Sequence, residues 1–136
     1  MTPSAILETA LYVNDLDAAE VFYRDVLGLE LVARTGMRQV FFRCGGGMLL
    51  IFDPNETEKP PGELSRPVPP HGVRGEGHMC FRADSAEIDR WVVHLKEADV
   101  EIEADFHWPN GGRSIYFRDP AGNSLEFAEP IIWGLT

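Results

Sequence analysis

The chain has 136 residues, of which 44% are hydrophobic, and its formal net charge is −10 at neutral pH. That length allows one ordinary hydrophobic core, and no apolar run reaches membrane-spanning length. The acidic charge argues against a nucleic-acid partner, and two cysteines do not make a disulfide framework. The start of the sequence has neither the basic residues nor the apolar segment of a signal peptide, so we expect a cytoplasmic protein.

Residues 5–54 show the periodicity of one strand, one helix and three further strands. We expect Asn14 to cap the helix and Gly28 to end it. The buried stripe of the helix comprises Leu16, Ala19, Phe22, Tyr23 and Val26. The strands cover residues 6–13, 29–34, 37–43 and 48–53. One face of the first strand presents Glu8, Ala10 and Tyr12.

A proline-rich connection follows, over residues 54–76, and it contains six of the ten prolines. Its composition predicts an extended and partly mobile segment. Loops of this length inside a small domain are often functional, so it could be a linker, a lid or both. His71 lies on this connection and could reach a binding site, although a surface-loop histidine is the favoured interpretation.

Residues 77–130 repeat the strand–helix–strand–strand–strand pattern, and residues 131–136 form a short tail. Asp84 and Glu87 have the spacing of a capping box at the start of the helix. The helix buries Ile88, Trp91, Val92 and Leu95. The predicted strands cover residues 78–83, 100–108, 114–118 and 124–128, the last two joined by a turn at 119–123.

Glu126 is the unusual residue of the last hairpin. It alternates with Leu125 and Phe127, so it points away from their apolar face. From the hairpin alone, the favoured interpretation is a glutamate that faces solvent on a half-exposed sheet.

The two halves can be aligned directly. MRQVFFR (37–43) matches GRSIYFR (112–118), MLLIFDP (48–54) matches SLEFAEP (124–130), and ETALYVND (8–15) matches HMCFRADS (78–85). Two βαβββ modules therefore make an α+β fold in which the sheet faces opposite the helices pair into a cup. Glu8 is then equivalent to His78, and Leu50 to Glu126, on the inward faces. This placement strengthens the case for Glu126 as a functional residue.

The segments ALYVNDLDAAEVFYRDVLGLELV (10–32) and YFRDPAGNSLEF (116–127) resemble the vicinal-oxygen-chelate superfamily. Its members include glyoxalase I, methylmalonyl-CoA epimerase, extradiol dioxygenases, fosfomycin-resistance transferases and bleomycin-resistance proteins. The resemblance implies one domain over residues 1–136, homodimers, and a divalent metal ion in the cup. It places the metal ligands on the first and last strands of each module. The corresponding positions here are Glu8, Leu50, His78 and Glu126.

Two of these positions depart from the family pattern. Glu8 stands where a histidine is usual, and Leu50, which cannot bind metal, replaces the acid or amide of glyoxalases. The remaining predicted ligands are Glu8, His78 and Glu126. Two carboxylates and one imidazole suit Mn²⁺, Fe²⁺ or Mg²⁺ better than Zn²⁺, although Ni²⁺ and Zn²⁺ stay open. The alternative is a metal-free binding cup.

We therefore expect a metal-dependent lyase or isomerase that acts on a small oxygenated metabolite. Glu126 or Glu8 would be the general base. The alternatives are a metal-free drug- or toxin-binding resistance protein and an extradiol-type dioxygenase. True glyoxalase I activity is disfavoured, because Leu50 removes the fourth ligand. The predicted substrate-binding residues are Tyr12, Leu50, Phe52, Cys80 and Arg113.

Two of these residues carry qualifications. Arg113 and Arg118 lie on opposite faces of one strand, so only one of them can line the cup. Cys80 is expected to be a small buried hydrophobe rather than a nucleophile.

Overall fold

The computed structural model describes all residues from Met1 to Thr136. The chain divides into two compact units, residues 1–75 and 76–136. The long connection up to Gly75 therefore belongs to the first unit. None of the helices has both the length and the apolar character needed to cross a membrane.

The first unit is a four-stranded mixed sheet with one helix between its first and second strands. Its strands are β1 (Glu8–Tyr12), β2 (Glu30–Thr35), β3 (Gln39–Cys44) and β4 (Gly47–Phe52). They lie in the order β1-β4-β3-β2, with β1 parallel to β4 and the other pairs antiparallel. Helix α1 (Leu16–Val21) continues into a π-helical turn, Phe22–Val26, and a short helix α2 (Pro54–Thr57) follows β4.

The second unit repeats this topology. Its strands are β5 (His78–Arg82), β6 (Ala104–His107), β7 (Arg113–Arg118) and β8 (Ser124–Ala128). They lie in the order β5-β8-β7-β6, and β5 is parallel to β8. Helix α3 (Ser85–Glu97) follows β5, and a 3₁₀ turn at Pro130–Trp133 precedes the end of the chain. The predicted α+β fold with two βαβββ modules is confirmed, whereas their pairing into a cup stays a prediction.

The two sheets match residue for residue. A row of neighbours across three strands of the first sheet is Ala10, Leu50 and Phe41. The equivalent row in the second sheet is Cys80, Glu126 and Tyr116. The sequence repeat is therefore also a repeat of strand register across these three strands, so that each of their residues has a defined counterpart in the other sheet.

Each helix covers one face of its own sheet. In the second unit Ile88 and Leu95 of α3 are buried, and the ring of Trp91 stacks on Phe127 with centroids 4.4 Å apart. The sheet residues with the same orientation are fully or almost fully buried: Ile115, Phe117, Leu125 and Phe127. Because side chains alternate along a strand, Tyr116 and Glu126 point to the opposite face.

Local predictions were accurate at some element ends and wrong at others. The Asp84–Glu87 capping box is confirmed, with both reciprocal hydrogen bonds present. The first helix is capped by Asp15 rather than Asn14, because Asp15 is the extended residue whose carboxylate accepts a hydrogen bond from Ala18 N.

Two segments differ from the predicted secondary structure. The strand predicted over 100–108 is only Ala104–His107, because Val100 N still bonds to Leu95 O at the end of α3. The connection predicted as extended begins with α2, in which Pro54 takes the first turn and the Asp53 side chain accepts a hydrogen bond from Asn55 N.

Candidate functional site

Glu126 lies at the centre of the second sheet and is buried, with 5% of its surface exposed. Its strand, β8, runs between β5 and β7, so that Cys80 and Tyr116 flank it on both sides. The interpretation of Glu126 as a solvent-facing residue is therefore wrong. Alternation along the strand predicted the face of the sheet correctly. It could not predict that side chains of the neighbouring strands surround the Glu126 carboxylate.

The two oxygens of the Glu126 carboxylate have different surroundings. Its Oε2 atom lies 3.4 Å from His78 Nε2. Its Oε1 atom is buried and has no hydrogen-bond partner. Leaving a buried polar atom unpaired costs about 1–3 kcal/mol, and more for a charged group. A buried oxygen with unused lone pairs is therefore a feature that a bound ligand would explain.

The His78 ring is held in one tautomer. Its Nδ1 atom lies 3.0 Å from the carbonyl oxygen of Ser124, which can only accept, so Nδ1 carries the hydrogen. The lone pair of the neutral ring is consequently on Nε2, the atom that faces Glu126. A backbone carbonyl that orients a histidine through its second nitrogen is a common support for metal ligands. The side chain is 52% exposed, so the nitrogen is accessible.

Tyr116 and Cys80 complete the surroundings of Glu126. The Tyr116 ring stacks on His78 with centroids 6.2 Å apart. Desolvation, reinforced by the negative charge of Glu126, raises the pKa of the Tyr116 phenol to about 12. Desolvation and the charge of Glu126 likewise raise the pKa of the Cys80 thiol to about 12, so that without a metal ion the thiol is neutral at pH 7.

Cys80 as a whole is exposed, so the prediction of a buried residue is wrong, although its thiol beside Glu126 is partly desolvated. The reason is that β5 is an edge strand with only β8 beside it. Tyr116, in contrast, was missed as a site residue. Counting across the turn 119–123 would have found it, because Arg118 pairs with Ser124 and Tyr116 therefore pairs with Glu126.

These two donors fit a divalent metal ion. An imidazole nitrogen and a carboxylate oxygen lie 3.4 Å apart, and the second carboxylate oxygen is unpaired. Two ligands of one ion at about 2.0–2.2 Å each are typically separated by a comparable distance. No group of three or more His, Cys, Asp or Glu side chains in the structure is arranged to hold a metal ion. The structure therefore brings together two of the three predicted ligands.

Glu8, the third predicted ligand, belongs to the first unit. It is exposed near the start of β1 and pairs with Met48, as His78 pairs with Ser124 in the second sheet. It therefore has the position of a first-strand ligand, as the repeat predicted. Its assignment to the metal stays a prediction.

The predicted substrate residues of the first unit form an apolar cluster with a polar edge. Leu50 and Phe52 are buried, with 8% and 5% exposed, and Tyr12 is half-buried. The hydroxyl of Tyr12 lies 2.6 Å from His71 Nδ1, and the His71 ring meets Phe52 edge-on with centroids 4.7 Å apart. The interpretation of His71 as a surface-loop residue is wrong, because the connection returns to the sheet at this point.

Arg113 lies on the helix-facing side of β7. Its guanidinium donates to Asp89 on α3 at 2.6 Å and to Asp105 on β6 at 2.7 Å. Both partners are carboxylates, so the charge of Arg113 is already balanced within the second unit. The face that carries Glu126 includes Arg118 instead, which bonds to Glu76 and Glu103.

Comparison with known proteins agrees with this geometry. The sequence profile of the Glyoxalase/Bleomycin resistance protein/Dioxygenase superfamily matches residues 5–127. The crystal structure of a lactoylglutathione lyase from Agrobacterium tumefaciens superposes with a TM-score of 0.94 and 51% identity, over 99% of this chain and 100% of that one.

Two curated relatives are more distant. The fosfomycin resistance protein FosX of Listeria monocytogenes is 25% identical over 123 residues, which are 85% of this chain and 82% of the relative. The metallothiol transferase FosB of Staphylococcus epidermidis is 28% identical over 115 residues, covering 84% and 73% of the two chains.

Proposed function

The chain belongs to the glyoxalase/bleomycin resistance protein/dioxygenase superfamily, and from that premise we propose that it is a metal-dependent enzyme. The proposed reaction is a lyase- or isomerase-type proton transfer on a small oxygenated metabolite. The observation that carries the proposal is the buried Glu126 carboxylate, which has one oxygen near His78 and the other without a partner.

Three residues would hold the ion: His78 through Nε2, Glu126 through a carboxylate oxygen, and Glu8 from the first unit. The hydrogen bond from His78 Nδ1 to Ser124 O supports this role, because it leaves Nε2 free to donate its lone pair. Two carboxylates would balance the charge of a divalent ion. When bound, the ion would supply Lewis-acid polarisation of neighbouring substrate oxygens.

The remaining chemistry would come from side chains of this chain. Glu126 or Glu8 would accept a proton from the substrate carbon and return it elsewhere, as a general base and then a general acid. Tyr116 would stay protonated at neutral pH, because the pKa of its phenol is raised to about 12. Its hydroxyl could therefore donate a hydrogen bond to a developing oxyanion near Glu126.

The comparisons support a reaction of this kind without fixing the substrate. A structure with 51% identity is named a lactoylglutathione lyase, and a relative with 28% identity is named a metallothiol transferase. Leu50 is the feature that argues against an unmodified glyoxalase site, because a leucine cannot be a fourth ligand. The same proposal includes a homodimer and a cytoplasmic location, and size-exclusion chromatography with light scattering would test the dimer.

A metal-free binding protein is the second candidate. The apolar cluster around Leu50 and Phe52 favours it, since such a surface can bind an organic molecule without reacting. The name fosfomycin resistance protein, carried by a relative with 25% identity, agrees with sequestration as well as with catalysis.

The test is metal-dependent turnover. The protein would be stripped with a chelator, reloaded separately with Mn²⁺, Fe²⁺, Ni²⁺, Zn²⁺ or Mg²⁺, and assayed in D₂O. The probes would be lactoylglutathione and fosfomycin, the latter with and without an added thiol. We expect turnover or solvent-deuterium incorporation that requires metal, is lost in Glu126→Gln and persists in the exposed control Glu101→Gln. Tight fosfomycin binding without metal and without turnover would contradict the enzyme and favour the second candidate.

A further inference from the structure

Arg38 differs from the other half-buried arginines of this acidic chain. The other three donate to carboxylates: Arg34 to Asp17 and Glu20, Arg113 to Asp89 and Asp105, and Arg118 to Glu76 and Glu103. The guanidinium of Arg38 has no carboxylate within ion-pair distance, and its one hydrogen bond goes to the Gln39 side chain. A cation held this way at the edge of an apolar cluster has donors to spare for a ligand.

The repeat provides an internal reference for Arg38. Its carbonyl accepts from Asp53 N at 3.0 Å, and the carbonyl of Arg113 accepts from Glu129 N at 3.1 Å, so the two arginines occupy equivalent positions. In the second unit Arg113 forms ion pairs with Asp89 and Asp105. In the first unit Arg38 instead lies over the Phe52 ring, 5.8 Å from the centroid. The first unit therefore keeps the arginine but gives it no ion pair.

His71 brings a second donor to the same phenylalanine. Tyr12 OH lies 2.6 Å from His71 Nδ1, and the Nε2 atom has no partner in the protein. The segment that carries His71 is fixed at this point, because His71 N bonds to Thr57 O at 3.0 Å and Arg74 donates to Glu58 and Asn55. Hydrogen bonds of both its backbone and its ring therefore hold the His71 imidazole against the sheet face.

We propose that Arg38 and His71, with Tyr12 as the positioning residue, form an oxyanion-binding subsite next to Phe52. Tyr12 donates its hydroxyl hydrogen to Nδ1, which leaves a hydrogen on Nε2, and the Arg38 fork supplies further N–H groups. Together they would bind a carboxylate or a phosphoryl group, with Phe52 contacting the apolar part of the molecule. Charge-assisted hydrogen bonds of this type are the strongest polar contacts available.

The location of the subsite also limits the substrate, and this step rests on the proposed function. Tyr12 lies four residues from Glu8 on the same face of β1, a distance of about 13 Å along the strand. A substrate that reached both would carry its anionic group about 10 Å or more from the oxygens that react. An anionic conjugate meets that requirement, and a free three-carbon acid does not.

The test measures anion binding on metal-free protein, through the side-chain nitrogen signals of His71 and Arg38 in NMR spectra. Three probes would be titrated: 4-phenylbutyrate, its neutral amide, and inorganic phosphate. A saturable shift with 4-phenylbutyrate supports a carboxylate ligand, and one with phosphate alone supports a phosphoryl ligand. Equal binding of acid and amide, or no saturation with any probe, would overturn the proposal.

Substitutions of Arg38 and Tyr12 test whether these residues are responsible for anion binding. Arg38→Gln should weaken binding of the anionic probe about tenfold or more, whereas Arg24→Gln on the exposed π-helical turn should leave it unchanged. Tyr12→Phe should weaken binding and change the His71 tautomer ratio, which a purely structural role would not do. Backbone amide spectra would confirm that each variant is folded. Unchanged affinity in folded Arg38→Gln would overturn the subsite, and metal binding through Glu126 would be unaffected by that outcome.

Discussion

The two halves of this protein share one backbone plan and carry different chemistry at equivalent positions. The central row of the first sheet face is Ala10, Leu50 and Phe41, and that of the second is Cys80, Glu126 and Tyr116. Both central side chains are buried, but the first is a leucine and the second a carboxylate with an unpaired oxygen. The fold thus decides where a ligand could bind, and individual side chains decide whether one does.

The same comparison assigns a stabilising side chain to the first sheet face and an energetic cost to the second. A buried leucine contributes about 1.5–3 kcal/mol relative to an exposed one. A buried, partly unsatisfied carboxylate costs free energy unless a ligand compensates for it. The first face therefore stabilises the fold, and the second is organised for binding.

The largest expected effect comes from introducing a glutamate at position 50, which is the counterpart of Glu126 in the first unit. In Leu50→Glu, the new carboxylate has Ala10 and Phe41 in register beside it, where Glu126 has Cys80 and Tyr116. We expect the free energy of unfolding to fall by about 3 kcal/mol or more, because burial of leucine is lost and a charge is desolvated. Urea unfolding of chelator-treated protein would measure it, with Leu50→Met as the control. A Leu50→Glu variant as stable as the parent would contradict the proposed difference between the two sheet faces.

Loss of the histidine should have the next largest effect. His78→Asn removes the nitrogen that faces Glu126, and we expect the affinity for Mn²⁺ to fall by about 100-fold or more. Calorimetric titration would measure it. His107→Asn, on the exposed end of β6, is the matched control and should bind like the parent. Equal affinities for all three proteins would exclude His78 as a ligand.

The reverse exchange should stabilise the metal-free protein. Glu126→Leu replaces the buried carboxylate with the residue of the first unit, and we expect a gain of about 1–3 kcal/mol together with loss of metal binding. Thermal unfolding after chelator treatment would show a higher midpoint than in the parent. A lower midpoint would mean that Glu126 is a structural residue.

The smallest effect concerns the equivalent arginines. Arg113 lowers the pKa of the Asp105 carboxyl through its hydrogen bond, so this pair stabilises the fold at neutral pH. The contribution should disappear as the pH falls through the lowered pKa, when Asp105 is protonated in both states. Because Asp105 is exposed, Asp105→Asn should cost only about 0.5 kcal/mol at pH 7. The urea midpoints of the parent and of Asp105→Asn should differ at pH 7 and agree at pH 2. An equal difference at both pH values would contradict the stabilising role of the Arg113–Asp105 pair.

Periodicity predicted most of the fold, because local patterns determine it. The hairpin of β7 and β8 and the Asp84–Glu87 capping box follow from neighbouring residues. Alternation also placed Glu8, His78 and Glu126 on the faces opposite the helices. The burial of Glu126 could not be predicted, since it depends on how the side chains of β5 and β7, Cys80 and Tyr116 among them, surround the carboxylate.

The role of His71 shows a different limit. The connection around it has no hydrophobic periodicity, so its path cannot be derived from local pattern. The path depends on contacts distant in sequence: Tyr12 OH to His71 Nδ1 and His71 N to Thr57 O. For the same reason the sequence could not predict that Arg38 makes no ion pair with a carboxylate, which depends on the folded first unit.

Elemental analysis of protein purified without chelator, with Glu126→Gln and Glu101→Gln prepared in parallel, tests the central claim most directly. We predict near-stoichiometric Mn, Fe, Ni or Zn in the parent and in Glu101→Gln, and little metal in Glu126→Gln. A parent protein that holds no metal, even after incubation with each of these ions and with Mg²⁺, would contradict the metal site.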